Sequence, residues 1–341
     1  LTFRTGVTWN GVVGTTFSRD AQDLVIPNLE KRPLTFAVVG SMPAGLTLSS
    51  SGAVRGTPTT PGVYSVSIDV TDGNGFTGAT QTLTISIAAT QTITWTTITA
   101  KTLGSGTVDV SSLVSASSGL TVSLTSSTTG VCTVSGFTVT LVHAGTCTLA
   151  ADQAGNSSFS AAPQASTSFT VNKAKLAQPS TPSASATSGT QKSITVSWTA
   201  VTNASGYIVT LYNSAGTTAH KTMNVASGTS RVITTADYSS MQDNTIYKVS
   251  VIASGDAIDY VNSDESAKAS VTTNAAPATP TGTALTSLYG KTVSQTISFS
   301  TSGSTTDAGV LSYQWKKDGV DIAGATSSTY SFTIAATTDA G

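Results

Sequence analysis

Along this chain apolar and polar side chains alternate in short runs, and turn-forming clusters interrupt them every 8–12 residues or so. Val66, Ile68 and Val70 fall on one side of such a run, with Ser65, Ser67 and Asp69 on the other. A period of two is the strand repeat. No helical period survives for more than a turn or two. A chain patterned this way can bury its apolar faces only by stacking sheets, so the expected fold class is all-β. A β-sandwich takes about 100 residues, and the chain has 341. Stretches rich in Pro, Ala and Thr near 88–91, 173–182 and 274–283 divide it into blocks 1–88, 89–172, 177–273 and 278–341. Links this short argue against free tumbling of neighbours, and tandem sandwiches arranged as a rod are expected.

Composition narrows the setting. Only 10% of residues are charged, against about 25% in an average soluble protein. Ser and Thr make up roughly a third of the chain, well above the usual share. Hydroxyls therefore keep the strand faces wet, a composition associated with exported proteins. A formal net charge of −1 leaves no electrostatic footprint for nucleic acid or an anionic membrane. No apolar run is long enough for a membrane span in this segment. Leu1-Thr2-Phe3-Arg4-Thr5 lacks the basic-then-apolar order of a signal peptide.

Cys132 and Cys147 are the two cysteines, and both fall in the second block. They read either as two buried thiols or as a disulfide closing a loop of about 15 residues, worth about 3 kcal/mol. The disulfide is the favoured reading, and it implies folding in an oxidising compartment. Geometry sets a condition on it. In one flat three-strand meander the two Cα atoms would lie about 9.5 Å apart, beyond the reach of roughly 7 Å for a bridge. A bond therefore requires the strand carrying Cys147 to cross to the other sheet. Side-chain parity permits this, since Cys132 and Val134 share a face, as do Cys147 and Leu149.

Motifs give the blocks resemblances. The first carries Met42-Pro43-Ala44-Gly45-Leu46, then Gly56-Thr57-Pro58, Pro61-Gly62-Val63-Tyr64 and Asp72-Gly73-Asn74-Gly75. It resembles the Ig, cadherin-like and dystroglycan-type repeats of bacterial surface proteins, with Met42 in place of the first Leu. The second has Gln91-Thr92-Ile93-Thr94, Val134-Ser135-Gly136, Ala144-Gly145 and Ala154-Gly155-Asn156, and is similar to another bacterial Ig-like repeat family. The third carries Ser193-Ile194-Thr195-Val196-Ser197-Trp198, then Gly206-Tyr207-Ile208-Val209 and Tyr247-Lys248-Val249-Ser250-Val251, and resembles fibronectin type III. That resemblance implies Trp198 as the core tryptophan of the second strand, Tyr207 on the third, and Tyr247 as a tyrosine corner. Met241, Asp243 and Thr245 stand where that family has Leu, Pro and Thr. The fourth resembles an Ig domain with Trp315 as its core tryptophan. Phe299 occupies the position of the usual first cysteine, so no second disulfide is expected there.

Catalysis has little to draw on. His143 and His220 are the only histidines, and neither lies in a metal-binding spacing. His143 reads as a hairpin-turn residue. There is no nucleophile elbow and no phosphate loop, so the chain is not expected to be an enzyme or to hold a cofactor. Calcium is the one candidate ion: Asp69, Asp72 and Asn74 cluster at a strand end, and Ca²⁺ takes six to eight oxygen ligands. The competing and preferred reading is that Asp72-Gly73-Asn74-Gly75 is simply a turn. Trp9 and Trp95 lie near block starts, where a surface or interdomain role, including glycan stacking, is open. No Arg-Gly-Asp occurs; the loop after the Tyr247 strand carries Ser254-Gly255-Asp256 instead.

These resemblances imply a non-catalytic extracellular stalk, filament or adhesin segment on a bacterial surface. The residues holding it together would be Cys132, Cys147, Trp198, Tyr247 and Trp315. Neighbouring copies or a cell-surface partner are the expected partners. A glycan- or protein-binding adhesin module, an accessory region of a secreted hydrolase, and a phage tail or virion fibre are the alternatives. The fourth block stops at Asp339-Ala340-Gly341, where the corner of an Ig domain would begin. The expectation is that the chain continues, with strand donation from a neighbour as the alternative.

Overall fold

The computed structural model of the protein describes residues 2–26, 33–187, 192–275, 296–300, 313–317 and 320–333. Among the described residues every regular element is a strand except one 3₁₀ turn, Ala21–Leu24. The chain forms two compact units, residues 1–174 and 175–341.

In the first unit, Thr8–Val12, Gln81–Ala88, Gly62–Asp72 and Leu34–Val39 form a four-stranded sheet in that order. The pairing of Thr8–Val12 with Gln81–Ala88 is parallel; the others are antiparallel. A three-stranded sheet of Phe17–Asp20, Ala53–Gly56 and Leu46–Leu48 accompanies it. Alternation does the sorting: Val66, Ile68 and Val70 are buried together with Leu83, Ile85 and Ile87 from the neighbouring strand. Trp9, Phe17, Phe36, Leu46 and Val54 complete that core. Trp9 is only 6% exposed. The surface or interdomain role open to it from its place in the sequence gives way to a core one, because its strand is paired into the sheet and not left as a lead-in.

The two glycines of the first block's motif have a steric cause. Gly45 has φ +86° and Gly56 φ +140°, and the Gly45 carbonyl accepts the Thr57 N–H at 3.0 Å. A Cβ on Gly45 would stand 2.0 Å from the Thr57 oxygen, and one on Gly56 2.0 Å from the Gly45 oxygen. Two backbones cross here with no room for a side chain on either.

Residues 89–172 hold a second pair of sheets. Lys101–Thr102, Ala165–Asn172, Gly145–Asp152 and Ser123–Ser126 form a four-stranded sheet, and Thr107–Asp109, Thr138–Leu141 and Cys132–Ser135 a three-stranded one. Ile93–Trp95 pairs separately with Val114–Ala116. The link 142–144 takes the chain from the three-stranded sheet into the four-stranded one. His143, expected in a hairpin turn, therefore sits in a sheet crossing, because Gly145–Asp152 pairs with Ala165–Asn172 and not with Thr138–Leu141.

In the second unit, Ser183–Ala186, Ile194–Ser197 and Ser230–Ile233 form one sheet. Ala219–Val225, Gly206–Tyr212, Ile246–Ser254 and Ala269–Thr272 form the other. One core joins them, from Leu176 to Val271. Beyond it, Thr296–Ser300 pairs antiparallel with Thr329–Thr333, and Lys316–Lys317 with Val320–Asp321. The corner expected at Asp339-Ala340-Gly341 lies outside the described residues.

Candidate functional site

Cys132 and Cys147 form a disulfide with Cα atoms 5.6 Å apart. Cys132 belongs to the three-stranded sheet and Cys147 to the four-stranded one. The sheet crossing that the spacing argument demanded is present, and both sulfurs lie in a core with Val139, Leu149 and Phe169.

The residues weighed for calcium are engaged in local hydrogen bonds. Asp72 uses Oδ1 to accept the N–H groups of Asn74 and Phe76, each at 3.0 Å. Its backbone also closes the turn, with the Gly75 N–H on the Asp72 oxygen at 2.9 Å. Asp69 accepts the Thr80 hydroxyl at 2.6 Å. Three residues apart on a strand, Asp69 and Asp72 fall on opposite faces. These bonds build the turn that the alternative reading described. After it the chain makes one further bridge, Thr71 to Thr77, before the next strand begins at Gln81. Among the described residues, no three His, Cys, Asp or Glu side chains gather in one group.

The aromatic residues singled out by motif are engaged in packing or hydrogen bonds. Trp198 is 7% exposed and lies 5.2 Å from the Tyr207 ring, tilted by 60°. The Tyr247 hydroxyl accepts the Gln242 N–H at 2.9 Å, tying the strand Ile246–Ser254 to the loop before it. This is the tyrosine-corner arrangement. Tyr207 does the same locally, accepting the Val201 N–H at 2.8 Å. His220 stacks on Tyr238 with centroids 4.7 Å apart. Trp95 is half-buried and donates from Nε1 to the Ala165 carbonyl at 3.3 Å. Trp315 is half-buried rather than sealed in a core: its ring stacks on Tyr330 at 6.0 Å, and Nε1 donates to the Ser327 carbonyl at 2.9 Å.

Two exposed carboxylates also serve their own loops. Asp256 accepts the N–H groups of Ile258, Asp259 and Tyr260 at 2.9, 2.8 and 2.9 Å, and these bonds, that of Tyr260 first, hold its carboxyl below the ordinary range. The acid of Ser254-Gly255-Asp256 is therefore engaged by its own loop while the residue stays exposed. Asp109 is lowered in the same way by Ser111.

The feature that motif reading missed is the join between the first two sandwiches. A cleft of about 250 Å³ opens there, between Pro61, Gly62 and Val63 on one side and Ser157, Ser158 and Phe159 on the other, with Ile87 and Ala89 along its floor. Beside it Gln91, 3% exposed, donates from Nε2 to Gln153 Oε1 at 2.6 Å and to the Ser160 carbonyl at 2.7 Å. Its Oε1 accepts the Ser118 hydroxyl. A polar residue opening a block reads as surface, and only its repeat-motif position hinted otherwise.

Residues 10–88 match the family described as Putative Ig domain. No curated protein matches the chain significantly. Among solved structures, the titin I-band fragment I67–I69 aligns at 11% identity and TM-score 0.38, over 80% of this chain and 98% of the fragment. An Fn3-like protein from Clostridium thermocellum aligns at 22% identity and TM-score 0.24, over 28% of this chain and 90% of that one. A Bacteroides fragilis protein described as a "putative alpha-galactosidase" aligns at 23% identity and TM-score 0.21, over 26% of this chain; the chain spans 17% of its length. The family match thus covers the first block, and the strand pairings define an all-β protein of tandem sandwiches. No helix among the described residues is long and apolar enough to cross a membrane.

Proposed function

We propose that this chain is a non-catalytic structural or adhesive segment of an extracellular protein, of the kind displayed on bacterial surfaces. On this reading its four blocks, 1–88, 89–172, 177–273 and 278–341, are separate modules that set spacing between an anchor and a tip. The observation that carries the reading is the buried disulfide between Cys132 and Cys147 inside a tandem of sandwiches. Such bonds form and persist in oxidising compartments and are rare where thiols are kept reduced. Supporting it, the carboxylates and aromatics singled out by motif are engaged in turns, corners and cores. Neighbouring copies or a cell-surface molecule are the partners this role would bring.

The test is protease shaving of intact producing cells, followed by an antibody to residues 89–172. Loss of the epitope without cell lysis, with native material carrying the oxidised Cys132–Cys147 pair, is the expected outcome. An epitope protected until lysis, with both thiols free, overturns the reading.

A further inference from the structure

We infer that the first two sandwiches act as one mechanically coupled body, with Ala89 as the shared residue and Gln91 as its lock. This goes beyond the surface role proposed above and does not depend on it.

The argument starts from where each sandwich's hydrogen bonding ends. The strand Gln81–Ala88 is paired on both sides, and its last carbonyl, that of Ala88, accepts the Val13 N–H at 3.0 Å. At the very next residue the partners belong to the second sandwich. The Ala89 N–H donates to the Ser158 carbonyl at 2.8 Å, and the Ala89 carbonyl accepts the Ser160 N–H at 2.8 Å. The Ser160 hydroxyl adds a bond to the same carbonyl at 3.3 Å, and Ala89 forms a parallel bridge with Phe159. One peptide bond therefore separates the two hydrogen-bonded frames. A flexible linker needs residues whose φ and ψ are free, and here none stands between them.

Gln91 holds the second side of this handover. Its carboxamide reaches Ser118 in one loop and both Gln153 and Ser160 in another, and the Gln153 Oε1 it bonds also accepts the Gly155 N–H at 2.5 Å. Both amide hydrogens and the oxygen of a buried side chain are thus occupied. Truncating it would remove these bonds and leave its part-buried partners unpaired around the strip that carries Ala89. Thr92 continues the attachment, its N–H donating to the Ser117 hydroxyl at 3.1 Å.

The experiment uses the full chain. Ser41→Cys and Ser105→Cys place spin labels on exposed positions of the first and second sandwiches, while the native disulfide stays buried and unreactive. Pulsed dipolar spectroscopy should give one narrow distance distribution in this background. Adding Gln91→Ala should broaden it and speed amide exchange at Ala89 and Ser160 by about tenfold or more, the scale of losing one buried hydrogen-bond partner. Ala89→Pro, which removes the N–H to Ser158 and places a ring against Ala88 at the end of the paired strand, should broaden it as well, so the test survives if Gln91→Ala does not fold. A broad distribution in the doubly labelled parent overturns the coupled body. A narrow distribution left unchanged by both substitutions overturns the assignment of Ala89 and Gln91.

Discussion

The second and third sandwiches solve the same problem with different materials. In residues 89–172 the buried apolar side chains fall into two clusters, of nine and five residues, bridged by the half-buried Trp95, Leu124 and Phe137, and Phe169 is their one buried aromatic. In the third sandwich sixteen buried residues form a single cluster that includes Trp198, Tyr207 and Tyr247. Large aromatic rings span the gap between sheets and contribute much of a core's burial. Where they are scarce, the inter-sheet disulfide ties the two sheets covalently; where they are present, the third sandwich holds together without one. The difference teaches that the disulfide compensates for a divided core and is not a general feature of this chain.

The comparison breaks or holds on paired substitutions, read by hydrogen exchange in the full chain so that each sandwich reports separately. Trp198→Ala should produce the largest effect, about 3–5 kcal/mol for removing a buried large aromatic, confined to the third sandwich. Replacing both cysteines with alanine should cost the second about 3 kcal/mol, the value for a loop of this length, and leave the third unchanged. If the cysteine pair can be removed at no cost, the divided core suffices alone and the contrast fails. If Trp198→Ala costs well under 2 kcal/mol, the third core is not organised around its aromatics.

Much of this was legible in the sequence, and the reasons are specific. Strand faces followed from period two, which is why Val66, Ile68 and Val70 could be placed in a core. The disulfide was the favoured reading over two buried thiols, and strand spacing added the condition, met in the structure, that Cys147 cross to the second sheet. Other features depend on partners distant in the chain. Gly45 and Gly56 stood out as a motif, but the reason lies in a backbone crossing whose two halves are eleven residues apart in sequence. Trp9 was misplaced because nothing local announces the parallel pairing that buries it. Gln91 could not be given a role, since its partners at Ser118, Gln153 and Ser160 become neighbours only when the second sandwich closes. Asp69 and Asp72 suggested an ion by proximity in sequence, whereas strand geometry sends them to opposite faces.

The smallest expected effect concerns acid. Glu265 accepts the hydroxyls of Tyr212 and Ser250, both at 2.5 Å, and Lys268 lies 3.9 Å from its other oxygen and 4.2 Å from the centre of the Tyr212 ring. Burial alone would push this carboxyl up, but the Ser250 and Tyr212 hydroxyls and then Lys268 outweigh it and hold it below its ordinary value. Tyr212 is raised in turn, by burial first and then by its bond to the carboxylate. A folded value below the unfolded one means that the unfolded state binds the proton more tightly. The stability this group contributes is therefore complete above the ordinary carboxylate range and is lost as pH falls below about 4. Partial exposure keeps the contribution small. Melting of the third sandwich should fall between pH 5 and pH 3 more steeply in the parent than in Glu265→Gln, whose amide still accepts from both hydroxyls but does not titrate. The second sandwich should show no difference between the two proteins. Equal pH slopes in the third sandwich of parent and variant would remove Glu265 from the account and place its acid sensitivity on other carboxylates, Asp256 first among them.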